Sequence, residues 1–471
     1  MSLDPARIES IVSEVLARLE TGGAAGGPGG ALGVHRTLDE AVAAARRSFV
    51  AYRDVPVEVR GRIIAAIRQA MLANLEHIAK LAVDETGLGR VEDKILKNRL
   101  VAEKTPGAED LEPGVWTGDH GLTLWERAPY GPIAVITPVT NPSETIICNG
   151  IGMIAGGNTA VFCPHPSARK VSTLTIDLFN RAARRAGAPE PLLHTVEEPT
   201  IDVAKALLRY PGIRLNVVTG GPGVVKEAMD SGKKSICAGP GNPPSVVDET
   251  ADLEQAARDL VMGASLDNNI ICTDEKEIVC VSIVADRLKE LMSRSGAVVL
   301  PPHQVEQLRK MVLEYEKGPR RHGGVNKKYV GRNADVILRD AGIPCDPSKR
   351  LVLCEVDGDH PFLWTEMMMP VLPLVRVRNV DEGIDFALEV EHGYRHTASM
   401  HSRNIDKLSK MARACDCSIF VKNGPNAAGL GWNGEGPTSF TIASPTGEGM
   451  TTARSFTRLR RCTLVDRFRI V

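Results

Sequence analysis

The strongest constraint on the fold is an alternation of short apolar runs with amphipathic helical patterns, which begins near residue 130. Apolar runs at 133–136, 159–163, 192–196 and 214–218 predict four β-strands. The amphipathic stretches that separate them cover 167–186, 200–209 and 222–231. This order is typical of a doubly wound α/β fold with a parallel sheet. We therefore expect a ligand site at the carboxyl ends of these strands.

Length and charge limit the classes of function that need to be considered. A chain of 471 residues is long enough for two or three domains, and its formal net charge is −1. That charge does not favour nucleic acid or an anionic membrane as a partner. No stretch reaches the roughly 20 apolar residues of a membrane-spanning helix. The ten cysteines include no CxxC pair, and Cys415 and Cys417 are too close for the usual metal spacing, so no metal is predicted.

A second α/β segment contains the candidate nucleophile, Cys272. Asp252 is a candidate N-cap for a helix over 253–262, which leads to Cys272 and a strand over 277–280. Polar, turn-favouring residues precede Cys272 and a hydroxyl residue follows it. A thiol in such a place attacks a carbonyl if its thiolate is stabilised. The same local pattern also fits a packed core thiol, because free cysteine is often buried.

A Gly-rich turn follows the strand at 214–218. It reads Thr219-Gly220-Gly221-Pro222-Gly223 and leads into a predicted helix that has proline at its start. Backbone N–H groups and the helix dipole at such a turn favour a phosphate group. The turn is not a full G-x-G-x-x-G, so by itself it indicates nucleotide binding only weakly.

The N-terminus has a different pattern from the α/β body. Residues 5–20 predict an amphipathic helix, and a Gly-rich linker follows at 22–30. Six apolar side chains share one face of this helix, namely Ile8, Ile11, Val12, Val15, Leu16 and Leu19. The helix either docks on the body or a neighbouring subunit, or binds a groove on another protein. Strand-like alternation at 114–128 and 455–471 lies outside the main pattern, and such strands often pair with another subunit.

Four motifs together resemble the aldehyde dehydrogenase superfamily, from about residue 33 to the C-terminus. Cys272, which follows Asn268-Asn269, resembles the family's nucleophile. Asn141, in the segment 137–142, resembles the amide of the family's oxyanion hole. Glu366 resembles the carboxylate that holds the nicotinamide ribose, and the Thr219-Gly220-Gly221 turn resembles the one beside the dinucleotide phosphates.

This resemblance implies a set of site residues and cofactors. Cys272 and Asn141 would be catalytic. The residues implied in cofactor binding are Thr137, Pro138, His165, Pro166, Thr219, Gly220, Gly221, Gly239 and Glu366. The implied cofactors are NAD and coenzyme A, the latter as a co-substrate.

Two departures from the family pattern refine the expected reaction. Hydrolytic members carry Glu-Leu-Gly-Gly where this chain has Ala-Gly-Pro-Gly-Asn at 238–242, so the glutamate that activates water is missing. Asp248 and Glu249 follow, in a different register. A thiol attacks a thioester better than water does, so CoA could resolve the acyl-enzyme without that base. The lysine of the adenosine-ribose site is also absent from 163–166, which favours NAD over NADP.

The resemblance implies an α/β fold of the aldehyde dehydrogenase type, with a Rossmann-type NAD-binding domain, an α/β catalytic domain and a small β oligomerisation element. The expected NAD-binding domain covers 33–112 and 129–250, and the catalytic domain covers 251–443. The oligomerisation strands would lie in 113–128 and 444–471. An encapsulation helix at 1–21 and a linker at 22–32 would precede them.

The implied activity is that of a CoA-acylating aldehyde dehydrogenase. Propionaldehyde is the expected substrate, with acetaldehyde as the alternative. A hydrolytic aldehyde dehydrogenase, a phosphate-dependent semialdehyde reductase and a non-enzymatic scaffold of a shell stay open as other classes. The N-terminal pattern resembles enzymes packaged in bacterial microcompartments. We therefore expect residues 5–20 to bind a shell protein, a homodimer or homotetramer, and a location in the microcompartment lumen.

Overall fold

The computed structural model describes residues 30–471. The predicted helix at 5–20 and nearly all of the linker lie outside the described residues. Within them, α-helices and β-strands alternate from residue 132 to about residue 300, apart from the consecutive strands at 234–238 and 244–247. The helices are α1 (Leu38–Tyr52), α2 (Val57–Ala73), α3 (Leu75–Thr86), α4 (Val91–Lys104), α5 (Pro142–Ala155), α6 (Arg169–Arg185), α7 (Ile201–Arg209), α8 (Pro222–Met229), α9 (Leu253–Ser265), α10 (Ser282–Arg294), α11 (Pro302–Val312), α12 (Ala334–Asp340), α13 (Val380–Val390) and α14 (Ile405–Cys415).

The strands form two large parallel sheets, a three-stranded antiparallel sheet and two short antiparallel pairs, Leu313–Tyr315 with Gly324–Val325 and Ile442–Ala443 with Gly449–Met450. They are β1 (Val34–His35), β2 (Gly114–Gly118), β3 (Gly121–Pro129), β4 (Pro132–Thr137), β5 (Thr159–Pro164), β6 (Leu193–Val196), β7 (Leu215–Thr219), β8 (Lys234–Ala238), β9 (Pro244–Val247), β10 (Glu277–Val281), β11 (Ala297–Leu300), β12 (Leu313–Tyr315), β13 (Gly324–Val325), β14 (Leu351–Val356), β15 (Val371–Val377), β16 (Thr397–His401), β17 (Ile419–Lys422), β18 (Ile442–Ala443), β19 (Gly449–Met450) and β20 (Thr457–Val465).

The first sheet has the strand order β1-β6-β5-β4-β7-β8, and all of its strands are parallel. Its central strands β4, β5 and β7 are buried along their whole length, because helices cover both faces. The four strands predicted from apolar runs form as β4, β5, β6 and β7, which confirms those predictions to within one or two residues. The chain order reverses between β4 and β7, which opens a crevice at their carboxyl ends.

The second sheet has the order β11-β14-β15-β10-β9-β16-β17 and is also parallel. The predicted helix at 253–262 forms as α9, and the Asp252 carboxylate caps it by accepting from the Gln255 N–H. Between α9 and β10 lies the stretch 265–273, here called the Cys272 turn. It connects the second sheet to the crevice of the first.

The third sheet is antiparallel and consists of β2, β3 and β20, so the strands predicted at 114–128 and near the C-terminus do form. Several of its apolar side chains are exposed, including Val115, Trp116 and Leu459. Pairing with another subunit and the domain boundaries stay predictions. No helix in residues 30–471 is long and apolar enough to cross a bilayer. The same residues contain no cluster of three or more His, Cys, Asp or Glu side chains that could hold a metal ion.

Candidate active site

A cleft of about 640 Å³ opens where β4, β5 and β7 end, at the reversal of strand order in the first sheet. Every site residue expected from the sequence lines this one cleft. These residues are Thr137, Pro138, Asn141, His165, Pro166, Thr219, Gly220, Gly221, Gly239, Cys272 and Glu366. The residues that follow β4, β5 and β7 share this location because the carboxyl ends of parallel strands meet at one edge of a sheet. Cys272 and Glu366 reach the same cleft from the segment that contains the second sheet. Their individual roles stay predictions.

The Cys272 turn contains three consecutive residues in the left-handed region. Asp267, Asn268 and Asn269 have φ values of +45°, +57° and +64°. Asn and Asp tolerate this region better than other non-glycine residues, yet each one still costs about 1–2 kcal/mol. Such strain persists only where surrounding contacts over-determine the backbone. The turn is therefore expected to have strong anchors, and the structure contains them on both sides of Cys272.

The first anchor is Asp267, whose carboxylate is completely buried. Its Oδ1 accepts from the Arg90 N–H at 2.8 Å, and its Oδ2 contacts the Lys94 and Lys97 ammonium groups at 3.0 and 2.5 Å. Gly89 allows this approach, because a Cβ at that residue would lie 1.9 Å from Asp267 Oδ1. Burial would raise the pKa of Asp267, but the two ammonium groups outweigh it and hold the pKa below its ordinary value. The carboxylate is thus ionised and paired.

Asn141 stands at the N-terminus of α5, and its side chain faces the cleft. Its Oδ1 accepts from Lys97 Nζ at 2.6 Å, and its Nδ2 donates to Thr140 Oγ1 at 3.1 Å. An ammonium group can only donate, so this contact fixes which end of the amide is oxygen. The amide has two N–H donors, and one stays free for a bound oxyanion. The side chain makes no capping hydrogen bond to α5, so helix capping does not explain this residue.

Lys97 connects Asn141 to the Cys272 turn. Its buried ammonium group contacts Asn141, Asp267 and also Glu144 Oε1 at 3.1 Å. Burial would lower the pKa of Lys97, but Asp267 and Glu144 outweigh it and raise the pKa. Lys94, Lys97, Glu144 and Asp267 are called the Lys97 cluster below. One cluster of buried ion pairs therefore holds both the candidate oxyanion amide and the start of the Cys272 turn.

The second anchor is Lys276, on the other side of Cys272. Its ammonium group donates to Asn269 O and Asn269 Oδ1, both at 2.8 Å, and to Ile271 O at 3.0 Å. Burial and, to a smaller extent, Glu366 raise the pKa of the Cys272 thiol and Lys276 lowers it, with a net value of about 12. A thiol with this pKa is protonated at neutral pH, so positive charge beside the sulfur matters for its reactivity.

Glu366 lines the same cleft as Cys272. Burial raises the pKa of its carboxyl, while Lys276 and the N–H of Gly241 lower it. Gly241 also brings its loop close to the nucleophile, because a Cβ there would lie 2.6 Å from the Cys272 carbonyl oxygen. This loop follows β8, and its members Gly239 and Pro240 line the cleft without presenting a carboxylate.

Asp248, the carboxylate that follows this segment in sequence, forms its hydrogen bonds outside the cleft. It is buried, and its oxygens accept from Ser402 Oγ at 2.5 Å and from the Thr250 hydroxyl at 2.7 Å. It does not line the cleft. Among the lining residues the carboxylates are Glu227 and Glu366. The stretch 238–250 therefore brings no water-activating carboxylate to Cys272.

The Gly-rich turn after β7 provides only part of the expected phosphate cradle. The Gly220 N–H donates to Ala238 O at 3.2 Å and is not available to a ligand. Gly221 and Gly223 face open space, since a Cβ at either would meet no heavy atom within 4 Å. Pro222 is the first residue of α8, so the positive end of that helix points at the cleft. The open glycines and the helix end fit a dinucleotide phosphate.

Sequence patterns did not identify Lys94, Lys97 and Lys276 as part of the site. The contacts of Lys94 and Lys97 join residues far apart in the chain, as between Lys97 and Asp267. The contacts of Lys276 are local, but its burial depends on the tertiary structure. One signal could have found Lys94 and Lys97. They are three residues apart on α4, on the same helix face as the buried Val101. That spacing alone does not distinguish a buried ionic face from a solvated one.

The model of the aldehyde dehydrogenase family matches residues 31–434, which is most of the chain. The chain belongs to the aldehyde dehydrogenase family. It is 52% identical over 467 residues to the acetaldehyde dehydrogenase (acetylating) EutE of Salmonella typhimurium, and the match covers 98% of this chain and 99% of that protein.

Two solved structures have the same fold. One is a propionaldehyde dehydrogenase of Rhodopseudomonas palustris with bound CoA and an acylated cysteine. It is 49% identical, with a TM-score of 0.89, covering 92% of this chain and 98% of that one. The other is a propionaldehyde dehydrogenase from the fucose utilisation bacterial microcompartment of Clostridium phytofermentans. It is 44% identical, with a TM-score of 0.90, covering 93% and 100%.

Proposed function

We propose that this enzyme oxidises a short-chain aldehyde to an acyl-CoA and reduces NAD, through a thioester on Cys272. One observation carries the proposal: Cys272 and the free amide donor of Asn141 share a cleft whose wall at 238–242 has no carboxylate. This arrangement supports formation of a thioester, and it lacks the group that would hydrolyse one. Its similarity to acylating relatives points to the same reaction.

The reaction begins when the Cys272 sulfur attacks the aldehyde carbonyl. The oxygen then becomes an oxyanion, which the Asn141 amide and the Cys272 N–H stabilise, and each donor contributes about 3 kcal/mol. Lys97 holds the Asn141 amide in its donating orientation. The nicotinamide, which Glu366 would hold through its ribose, would supply the acceptor for the hydride that leaves the former aldehyde carbon as the oxyanion collapses. Cys272 keeps the acyl group as a thioester.

The residues around the cleft can hold the dinucleotide for this step. Gly221, Gly223 and the first turn of α8 would contact its phosphates, with Thr219 beside them. Glu366 would bind the nicotinamide ribose, and Thr137, Pro138, His165, Pro166 and Gly239 would form the walls.

CoA completes the reaction by attacking the acyl carbon with its thiol. The Cys272 thiolate leaves, so the products are acyl-CoA, NADH and one proton. Water competes poorly for this step, because a thiol is the better nucleophile and the cleft wall at 238–242 supplies no base to activate water.

The test is product analysis with and without CoA. Turnover should require CoA beyond a single burst of NADH, and acyl-CoA should be the main product. A free carboxylic acid as the main product at saturating CoA would contradict the acylating assignment. Replacement of CoA by inorganic phosphate separates the semialdehyde reductase alternative, which would form an acyl phosphate.

Propionaldehyde is the favoured substrate and acetaldehyde the alternative. Apolar residues flank Cys272 in the cleft, among them Ile270, Met368 and Phe440. The extra methylene of propionaldehyde gains about 0.8 kcal/mol if it is buried there, which is about fourfold in kcat/KM. Competition between the two aldehydes measures this ratio directly. A ratio below one would assign acetaldehyde as the main substrate.

The N-terminal segment would be an encapsulation peptide that binds a microcompartment shell protein and brings a homodimer or homotetramer into the lumen. Support comes from its amphipathic pattern and Gly-rich linker. Residues 1–21 fused to a fluorescent carrier should co-localise with shells in cells that make them, and the Ile11→Glu, Leu16→Glu double variant of this fusion should not. A carrier that stays diffuse would favour docking on the enzyme's own oligomer, which light scattering of the truncated enzyme can test.

A further inference from the structure

Four charged residues follow the Cys272 turn, and the structure buries all of them. Asp274, Glu275, Lys276 and Glu277 are each 1% exposed or less. Lys276 is the cation of this group. All three protons of its ammonium group are used, on Asn269 O, Asn269 Oδ1 and Ile271 O.

The acceptors of Lys276 are uncharged carbonyl oxygens. Nowhere in residues 30–471 does Lys276 form an ion pair with a carboxylate, in contrast to Lys97. Its positive charge is therefore not neutralised at contact distance. Glu366 and Asp274 act to raise the pKa of the Cys272 thiol, whereas Lys276 lowers it and so favours the thiolate.

Lys276 also helps to orient one peptide group. It binds the carbonyl of Ile271 at 3.0 Å, together with the Asp274 N–H at 3.1 Å, and the N–H of the same peptide belongs to Cys272. In a trans peptide the carbonyl and the N–H point in opposite directions, and the described chain has no cis bonds. The Cys272 N–H therefore points away from the ammonium group and lies beside its own sulfur, where it lowers the pKa of the thiol. No backbone carbonyl of the described residues accepts it.

The same ammonium group restrains the strained end of the turn. Asn269, at φ +64°, is held by Lys276 on two oxygens, while its Nδ2 donates to Ala264 O and Glu275 O at 2.8 and 2.9 Å. These are four hydrogen bonds at Asn269, and removal of Lys276 would eliminate two of them, those to Asn269 O and Oδ1. The peptide that carries the Cys272 N–H would then be held at its carbonyl by the Asp274 N–H alone.

We propose that Lys276 is a positioning residue for acyl transfer, which aims the Cys272 N–H at the oxyanion and stabilises the Cys272 thiolate with its unpaired charge. This role rests on the proposed function, in which Cys272 is the nucleophile. A hydrogen bond to the Ile271 carbonyl also polarises the peptide, which makes its N–H a stronger donor.

The experiment compares Lys276→Gln, which keeps a donor without charge, with Lys276→Arg, which keeps the charge. Peptide-resolved mass spectrometry follows alkylation of Cys272 by iodoacetamide against pH, because the chain has ten cysteines. NADH formation gives kcat and KM for the same proteins. The matched control is Lys104→Gln, since Lys104 also donates to two carbonyls, Gly431 O and Gly434 O, but does not line the cleft.

For Lys276→Gln we expect the alkylation profile to move up by about one pH unit or more and kcat to fall about 100-fold, with KM for NAD nearly unchanged. Lys276→Arg should restore the profile toward that of the parent enzyme. An unchanged profile together with normal kcat in folded Lys276→Gln would overturn the proposal. The alkylation arm needs no turnover, so it tests Lys276 even if the CoA-dependent reaction itself is not found.

Discussion

Lys97 and Lys276 are both fully buried beside the Cys272 turn, but their surroundings differ. The Lys97 cluster pairs its ammonium groups with Asp267 and Glu144 at 2.5–3.1 Å. Around Lys276 the carboxyl groups of Asp274, Glu275 and Glu277 make no such contact. Burial raises the pKa of all three, to about 7 for Glu275, and Lys276 only partly offsets it.

The difference shows that contact geometry, more than burial, decides whether a buried group is ionised. A carboxylate at hydrogen-bond distance from an ammonium group recovers its desolvation cost, whereas one farther away takes up a proton instead. The Lys97 cluster is therefore a rigid, internally neutralised anchor. Lys276 keeps a charge that acts on its neighbours, including the nucleophile.

The largest expected effect is at Cys272, where both lysines act. Cys272→Ala removes the atom that forms the covalent thioester, so NADH formation should fall by about 10⁴-fold or more. Nucleotide binding, measured by calorimetry, should persist because the cleft keeps its shape. Substantial turnover in the purified variant would transfer the role to another thiol, with Cys280 and Cys237 as the next candidates.

Removal of the cation from the paired cluster should damage both stability and catalysis. Lys97→Met leaves Glu144 without a cation and frees the Asn141 amide to rotate, so the free energy of unfolding should fall by about 3–5 kcal/mol. Urea-dependent circular dichroism measures this loss. Lys104→Met on the same helix is the control, and we expect a loss of about 1 kcal/mol there. Equal losses at both lysines would contradict the distinct role of the cluster.

Asn141 separates the catalytic consequence of the cluster from its structural one. Asn141→Ala should lower kcat by about 100- to 1,000-fold, because one oxyanion donor is lost. The variant also leaves the buried Lys97 ammonium group without one acceptor, so the free energy of unfolding should fall by about 1–3 kcal/mol. Nearly normal turnover in the folded variant would contradict the role of Asn141 as an oxyanion donor.

The smallest effect is expected at Glu275, the residue before Lys276. Burial raises the pKa of this carboxyl from 4.5 to about 7, so the folded state prefers it protonated. The stability it provides is full below pH 4.5 and is lost as pH rises through 7. Glu275→Gln cannot ionise and should therefore gain about 1–3 kcal/mol over the parent protein at pH 8, with little gain at pH 4.5.

Unfolding midpoints at the two pH values measure this gain, with Glu435→Gln in an exposed loop as the control. A destabilisation of the same size at both pH values would show that Glu275 is not protonated in the native state.

The alternation of apolar runs and helical patterns was enough to locate β4 to β7 and the cleft at their ends. Strands buried on both faces read as continuous apolar runs, and their carboxyl ends coincide in any parallel sheet. For the same reason the motifs containing Asn141 and Thr219 could be placed in one site before any contact was known. Cys272 precedes β10 of the second sheet, so only its resemblance to the family motif placed it there.

The two lysines could not be assigned in this way. The run Asp274–Glu277 has the composition of a solvated face, yet the tertiary structure buries it completely. The position of Asn141 just before α5 also fits a helix cap. Only the structure shows that its side chain makes no capping bond and accepts from Lys97 instead.

The sequence by itself determined the fold class, the order of the motifs and the absence of a carboxylate at 238–242. Only the tertiary structure decided which charged side chains are buried, which are paired and which way the oxyanion donors point. The physical reason is that apolar periodicity and motif spacing are local properties of the chain, whereas ionisation and donor direction depend on contacts between residues more than 100 positions apart, such as Lys97 and Asp267.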